Sequence, residues 1–345
     1  MKLRKGVLTM TTKKKILTAM VAILAIAATA LTIIVIPEVN MKNNLKDITL
    51  YPAESFGTGD RIYFLNTGSS DAILIESNGK YALVDAAEDS DNPRGFPELV
   101  FAGMEEYVCD AVKKIAGDEN GKATLEFVLG THSHSDHIGG FDTLILDEDI
   151  TVKTAYLKGY DESFIREYEI ENWDNKEVYQ QMVDACNQRE VPIISDISEE
   201  TFTFGNFTMK FCNTADTDSA EPVGENENAI GLLIEKGEYR AFLAADINNY
   251  DGDEDRLAAE IGRINLLKVG HHGYDGSTTK DYVQTLSPEI AVVTNKEGGI
   301  SRTPLMNLNS VNAAVLETGA YNGIVAEFSD EGIKIYRDLD STLEK

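Results

Sequence analysis

Short apolar runs separated by turn residues begin at Arg61. Residues 61–65, 71–76 and 80–84 are each β-prone, and Asn66-Thr67-Gly68 and Ser77-Asn78-Gly79-Lys80 supply turns between them. They predict an antiparallel meander that ends at Asp85. A polar loop with two prolines follows over 89–97. Leu99, Val100, Met104, Val108 and Val112 then share one side of a predicted helix over 98–115. Residues 124–129 form a continuous apolar run and read as a buried strand.

The second half repeats this alternation without any internal repeat. Strands are predicted over 150–156 and 191–194, with a polar, partly helical stretch over 160–187 between them. Hairpins are predicted across Gly205-Asn206 and Lys236-Gly237. An acidic, turn-rich loop spans 213–228. Helices are expected over 254–261, 280–286 and 307–318, strands over 265–270 and 290–294, and a closing hairpin over 324–336. Residues 37–59 are polar with scattered turn residues and read as a linker. Two β-rich halves with helices outside predict an α+β fold, a four-layer αββα sandwich occupying 60–345.

The N-terminus has a different pattern. Lys2, Arg4, Lys5, Lys13, Lys14 and Lys15 precede a run without charge from Ile16 to Ile36. That run is long enough for a transmembrane helix, and the basic flank predicts a cytoplasmic N-terminus with the body outside. The competing expectation is a cleaved signal peptide, since small residues near Ala27 to Thr29 resemble a processing site. The chain is then anchored on the extracellular face of the cytoplasmic membrane, or secreted.

The formal charge of the 345-residue chain is −27. Setting aside the six N-terminal cations leaves 25 Lys and Arg against 58 Asp and Glu, a charge of −33 on the rest. Such a body repels polyphosphate backbones and disfavours unaided nucleic-acid binding. Cys109, Cys186 and Cys212 fit no zinc-knuckle spacing and read as buried thiols, with nothing to select a disulfide pair.

The chemistry is concentrated at Gly130-Thr131-His132-Ser133-His134-Ser135-Asp136-His137-Ile138-Gly139-Gly140, just past the strand over 124–129. Three of the five histidines lie here. In an extended segment His132 and His134 project to one side, and a turn at Ser135 brings Asp136 and His137 to a second point nearby. Imidazole with carboxylate is a ligand set for zinc or a similar ion, and two such pairs make a dinuclear arrangement. Asp246 ends one later strand and His271-His272 end the next. Asp246 would bridge two ions. One of His271 and His272 would complete the second site, and the other would act as a supporting donor or acid. Asp136, His271 and His272 are thus the catalytic candidates.

The H-x-H-x-D-H motif with the following Gly-Gly resembles the metallo-β-lactamase superfamily. The meander with Asp71-Ala72-Ile73-Leu74-Ile75 is similar to the opening of its competence-type branch. The resemblance implies the superfamily's αββα sandwich and makes Asp85 a structural aspartate beside the site. Members that cleave lactams carry a further histidine between the motif and the bridging aspartate. This chain has none there, although Asn226 and Asn228 lie near that place. From about residue 61 to 336 the pattern is also similar to extracellular phosphorylcholine esterase domains. The shared features are the histidine motif, Tyr156-Leu157-Lys158 with Tyr160, Trp173-Asp174-Asn175, and Ala245-Asp246 followed by Lys268 and His271-His272. That likeness implies a two-zinc phosphodiesterase acting on a phosphorylcholine-bearing surface polymer. Trp173 and Tyr160 are the candidates for an aromatic cage around a quaternary ammonium. A competence-type nuclease and a non-catalytic metal-binding surface module are the other readings.

Overall fold

The computed structural model describes residues 10–30, 35–90, 102–215 and 221–343. The meander forms as the turn chemistry predicts. Asp60–Phe64, Ile73–Ser77 and Lys80–Val84 pair antiparallel in sequence. Ala123–Gly130 then joins Lys80–Val84 in parallel, with a register shift between Tyr81 and Ala82. Ala155–Leu157 and Ile193–Ile194 extend this sheet on one side. On the other side the C-terminal hairpin, Ile324–Ser329 with Gly332–Arg337, returns to pair against Asp60–Phe64. With Leu50–Pro52 and Ile150–Val152 the first sheet has ten strands. The second has seven, running from Ala314–Glu317 through Ile290–Val293, Leu266–Lys268, Tyr239–Leu243, Gly231–Lys236 and Phe207–Cys212 to Phe202–Phe204.

Both faces of each sheet are buried, because strand side chains alternate and each face has a partner layer. Ile62, Phe64, Ile73 and Ile75 point toward the second sheet and meet Phe207, Ile234, Leu243 and Val292. Tyr63, Leu65 and Leu74, one residue out of phase, face the outer helices Glu105–Ala116, Phe141–Leu146 and Asn175–Gln188. On the far side Phe242, Leu267, Ala291 and Val315 pack under Asp253–Ile261, Lys280–Leu286 and Arg302–Ser310. Three apolar layers between four structural layers make the predicted α+β, αββα sandwich. Each fully buried Phe, Leu or Ile contributes about 1.5–3 kcal/mol.

Several boundaries differ from expectation. The segment read as a linker over 37–59 is folded onto the body. Its helix Ile36–Asn44 lies on Arg302–Ser310, with Asn309 Nδ2 donating to the Pro37 carbonyl and Asn44 Nδ2 to the Ala313 carbonyl. Leu50–Pro52 adds a parallel strand to Gly332–Arg337. Polar composition hid these elements because their stabilising partners lie far along the chain. The helix expected over 307–318 is instead Arg302–Ser310 followed by the strand Ala314–Glu317. The apolar run Ala313–Leu316 suits either, and pairing with Ile290–Val293 decided it. The helix Glu105–Ala116 starts later than expected, and residues 91–101 of the predicted loop and helix lie outside the described residues.

The expected membrane span over 16–36 is not a single described helix. The helix Met10–Ala30 contains the lysine cluster at its start, and residues 31–34 lie outside the described residues. Among the described residues no helix is long and apolar enough to cross a membrane. Cys109, Cys186 and Cys212 are buried free thiols, as expected.

Candidate metal centre

The site lies where strands from both halves end on one side of the sandwich. Asp85 follows Lys80–Val84 in the left-handed region, at φ 56°, and is fully buried. One of its oxygens accepts from the Thr131 backbone N–H at 2.8 Å. The other accepts from the Thr131 hydroxyl and faces His137 Nδ1, both at 2.8 Å. Asp85 therefore anchors the histidine motif from behind. His134 leads into the helical turn Ser135–Ile138, which swings Asp136 and His137 inward. Gly140 allows the turn to sit against the meander, since a Cβ there would stand 2.3 Å from the Ala86 carbonyl oxygen.

The second half delivers its ligand candidates through a strained backbone. Ala245, His271 and His272 have φ of 46°, 50° and 48°. Such conformations cost of order 1–3 kcal/mol each and persist only where the surroundings hold them. Here His271 N–H donates to the Ala245 carbonyl at 3.0 Å, tying the two strand ends together.

The side chains converge. His137 Nε2 lies 3.1 Å from His272 Nε2 and 3.2 Å from Asp246 Oδ1. His272 Nε2 lies 3.4 Å from Asp246 Oδ2 and 3.2 Å from Asp136 Oδ2. One ligand atom from each of Asp71, His137, Asp246 and His272 falls within 4.8 Å of the others. The opposite ring nitrogens fix the tautomers. His137 Nδ1 faces Asp85, and His272 Nδ1 lies 3.3 Å from both Asp71 Oδ1 and Thr294 Oγ1. Protons at Nδ1 leave the Nε2 lone pairs aimed at one point, the arrangement of metal-bound histidine backed by carboxylate. A second convergence sits alongside: His132 Nε2 is 3.0 Å from His134 Nδ1, with Thr131 Oγ1 at 3.1 Å behind His132 Nδ1. Asp246 Oδ1 is buried and, among the described residues, has no hydrogen-bond partner beyond its 3.2 Å approach to His137 Nε2. This donor set fits one or two divalent ions.

Electrostatics point the same way. Burial disfavours a charged His137, yet Asp246 and Asp85 push its pKa up to about 10. Burial also opposes ionised Asp246, yet His272 and His137 hold it well below the usual carboxylate range. Burial and the neighbouring imidazoles push His132 down. The cluster is thus a concentration of buried negative charge that takes up cations, whether protons or metal.

A family model described as a β-lactamase superfamily domain matches residues 106–295, which include the histidine motif, Asp246 and His271-His272. The chain belongs to the metallo-β-lactamase superfamily. Among curated proteins it is 29% identical over 76 residues to ComE operon protein 3 of Bacillus subtilis, covering 22% of this chain and 10% of that protein. It is 23% identical over 115 residues to Recombination protein 2 of Haemophilus influenzae, covering 32% and 14%. The chain thus spans a small part of either relative. Among solved structures it overlaps the metallo-β-lactamase fold protein YhfI of Bacillus subtilis at a TM-score of 0.44 and 12% identity, covering 75% of this chain and 95% of that one. Zn2+-bound PqqB of Methylobacterium extorquens overlaps at 0.41 and 14%, covering 75% and 87%.

Within this superfamily fold, the two members of the His271-His272 pair are separated by burial. His272 is enclosed with His137, Asp136 and Asp246, whereas the His271 side chain is 29% exposed, its Nε2 4.0 Å from Asp246 Oδ2. The sequence left this pair unresolved. Trp173 packs edge-on against His134, ring centroids 4.9 Å apart, so it borders the site. Tyr160 stacks on Tyr179 at 5.9 Å and lines a groove of about 1140 Å³ with Lys158 and Arg256. A separate small cleft shares Lys158, Gly159 and Asp161 with that groove and is lined by His132 and Asn228.

Glu169 and Glu225 escaped the sequence reading, and Asp71 and Lys268 entered it only as features of the resemblance, without a role at the site. Glu169 lies 3.4 Å from His134 Nε2, and Glu225 accepts from the Ser133 backbone N–H at 2.9 Å. Asp71, in the turn before Ile73–Ser77, and Lys268 form a buried ion pair under the centre. A lysine inside the apolar strand Leu266–Lys268 was the available signal, because a charge in a fully buried strand needs a partner.

Proposed function

We propose that this metallo-β-lactamase-fold protein is a dinuclear zinc phosphodiesterase acting on phosphorylcholine-type or related cell-surface phosphodiesters. The observation that carries the reading is the paired convergence of imidazole nitrogens, His132 with His134 and His137 with His272, around Asp136 and Asp246. His132, His134 and Asp246 would hold one ion; Asp136, His137, His272 and the shared Asp246 would hold the other. Two such ions, when bound, supply a water of lowered pKa and a clamp for phosphoryl oxygens. Asp85, Asp71 and Glu169 orient the imidazoles from behind. His271, on the rim, would be the group that passes a proton to the leaving oxygen. With no third histidine between the motif and Asp246, the first ion would be held by His132, His134 and Asp246 alone, which argues against lactam cleavage.

Trp173 beside His134, with Glu169 nearby, supports a substrate with a cationic head group, since an aromatic face and a carboxylate both attract a quaternary ammonium. Tyr160, which lines the neighbouring groove, would be the other aromatic of that cage. The basic segment before Ile16 supports a body held on the outer face of the membrane, or secreted after cleavage. Protease added to intact cells would degrade an external body and spare an internal one.

A competence-type nuclease is the second reading, and the two curated relatives favour it. The −33 charge of the body opposes it. The test is a panel on the zinc-loaded chain: nitrophenyl phosphorylcholine, bis-nitrophenyl phosphate, single-stranded DNA and a cephalosporin. Preference for the choline ester is expected. Turnover of DNA alone would replace this reading with the nuclease, and zinc binding without any turnover would leave a binding module. Cation–π contacts are worth about 0.5–2 kcal/mol, so Trp173→Ala should weaken use of the choline ester by about 2- to 30-fold and leave bis-nitrophenyl phosphate, which has no cationic head group, nearly unchanged. Equal losses on both would make Trp173 a packing residue.

A further inference from the structure

We propose that Lys268 is a positioning residue for the metal centre, acting on Asp246 directly and on His272 through Asp71. This rests on the reading that the cluster holds zinc.

Lys268 ends the strand Leu266–Lys268 and is fully buried. Its ammonium has three donors. One meets Asp71 Oδ2, and one meets the Ala245 carbonyl at 2.8 Å. The third faces Asp246 Oδ1 at 3.7 Å. The Ala245 carbonyl belongs to a residue in the left-handed region immediately before the bridging candidate. It also accepts the His271 N–H, so one oxygen sets the phase of both strand ends. With Lys268 on that oxygen, Asp246 presents its carboxylate toward His137 and His272 instead of turning away.

Asp71 carries the effect to the other side. Its Oδ1 accepts from the Thr294 hydroxyl and lies 3.3 Å from His272 Nδ1. Its backbone N–H donates to the Asp136 carbonyl at 3.0 Å. One buried ion pair thus touches the backbone or side chain of Asp136, Asp246 and His272. Although Asp71 falls inside the cluster by distance, one of its oxygens is committed to Lys268 and the other to Thr294 and His272. It serves as the carboxylate behind a ligand histidine, while Lys268 offsets its charge. The pair also joins the two halves of the chain, since Asp71 precedes the second strand and Lys268 lies beyond Asp246.

A buried pair could instead serve stability alone, and the double variant separates the two roles. Removing one partner strands a buried charge, whereas removing both does not. Full-length protein is stripped of metal, and zinc affinity is read by competition with a chromogenic chelator, beside the melting temperature of the metal-free chain. Lys268→Met and Asp71→Asn are expected to lower both. Lys268→Met/Asp71→Asn is expected to recover the melting temperature while zinc affinity stays about 10- to 100-fold below wild type, the usual loss for groups that orient ligands. Thr294→Val, close to isosteric, should weaken zinc by a smaller factor without unfolding the chain. Its result decides the matter if the charge variants do not fold. Wild-type affinity in the double variant, or in Thr294→Val where the others do not fold, would overturn the positioning role. A wild-type chain that binds no zinc would instead sink the metal reading, and this inference with it.

Discussion

The two halves of the molecule bring side chains to the same centre by opposite means. The stretch from Gly130 to Gly140 does it locally. A strand ends, His132 and His134 follow in extended backbone, and one helical turn presents Asp136 and His137. None of its three histidines has a positive φ. It relies on glycine for close approach, since a Cβ at Gly139 would stand 2.5 Å from the Ser135 carbonyl oxygen. The second half carries Ala245, His271 and His272 in the left-handed region, with Lys268 on the Ala245 carbonyl and Asp71, from the other half, against His272. Local geometry makes the first half a preformed claw. Tertiary contacts make the second half a strained one.

The largest effect should come from the residue both halves share. Asp246→Ala is expected to lower turnover at least about 1000-fold, because it removes the carboxylate common to both proposed ions. Full zinc content with an unchanged rate in that variant would dissolve the comparison. The next contrast lies inside the strained pair. His272→Ala should cost about 100-fold or more in zinc affinity, above the usual loss for orienting groups. His271→Ala should keep most of the zinc and lose rate. A chelator competition and a kcat measurement on each variant check this, and the reverse pattern would exchange their roles.

Glu254 tests how the second half is held against pH. It is buried, and it accepts from the backbone N–H groups of Thr278 and Thr279, just beyond the His271-His272 turn. Burial pushes its pKa from an ordinary 4.5 up to about 7. The folded chain therefore holds this proton more tightly than the unfolded chain. The stability it contributes is complete below pH 4.5 and is lost as pH rises to about 7. Urea titrations of the metal-free chain should show wild type losing on the order of 2–3 kcal/mol more than Glu254→Gln between pH 4.5 and 7.5. Parallel slopes would show that Glu254 titrates normally.

The smallest changes concern the backbone. Gly140→Ala forces a methyl against the Ala86 carbonyl and should destabilise by about 1–3 kcal/mol. Ala245→Gly relieves a left-handed alanine at the expense of a more flexible unfolded chain, so it should shift the melting temperature upward by no more than about 2 °C. Equal effects at the two positions would erase the distinction between a glycine needed for space and an alanine held under strain.

Sequence alone determined the parts whose physics is local. Short β-prone runs with turn residues between them gave the meander and the three later hairpins. The spacing of His132, His134, Asp136 and His137 after a buried strand gave the centre, and strand ends gave Asp246 and His271-His272. The resemblance carried by these motifs gave the superfamily. Tertiary structure decided what depends on residues far apart in the chain. The polar segment over 37–59 became helix and strand because Asn309 and the 332–337 strand receive it. The stretch near 314 became a strand because a neighbouring edge was open to it. Asp71 and Lys268 are separated by nearly 200 positions, and only packing of the two halves pairs them beneath the metal centre. His272 differs from its neighbour His271 by burial alone, and burial is set by the whole sandwich closing around one ring and not the other.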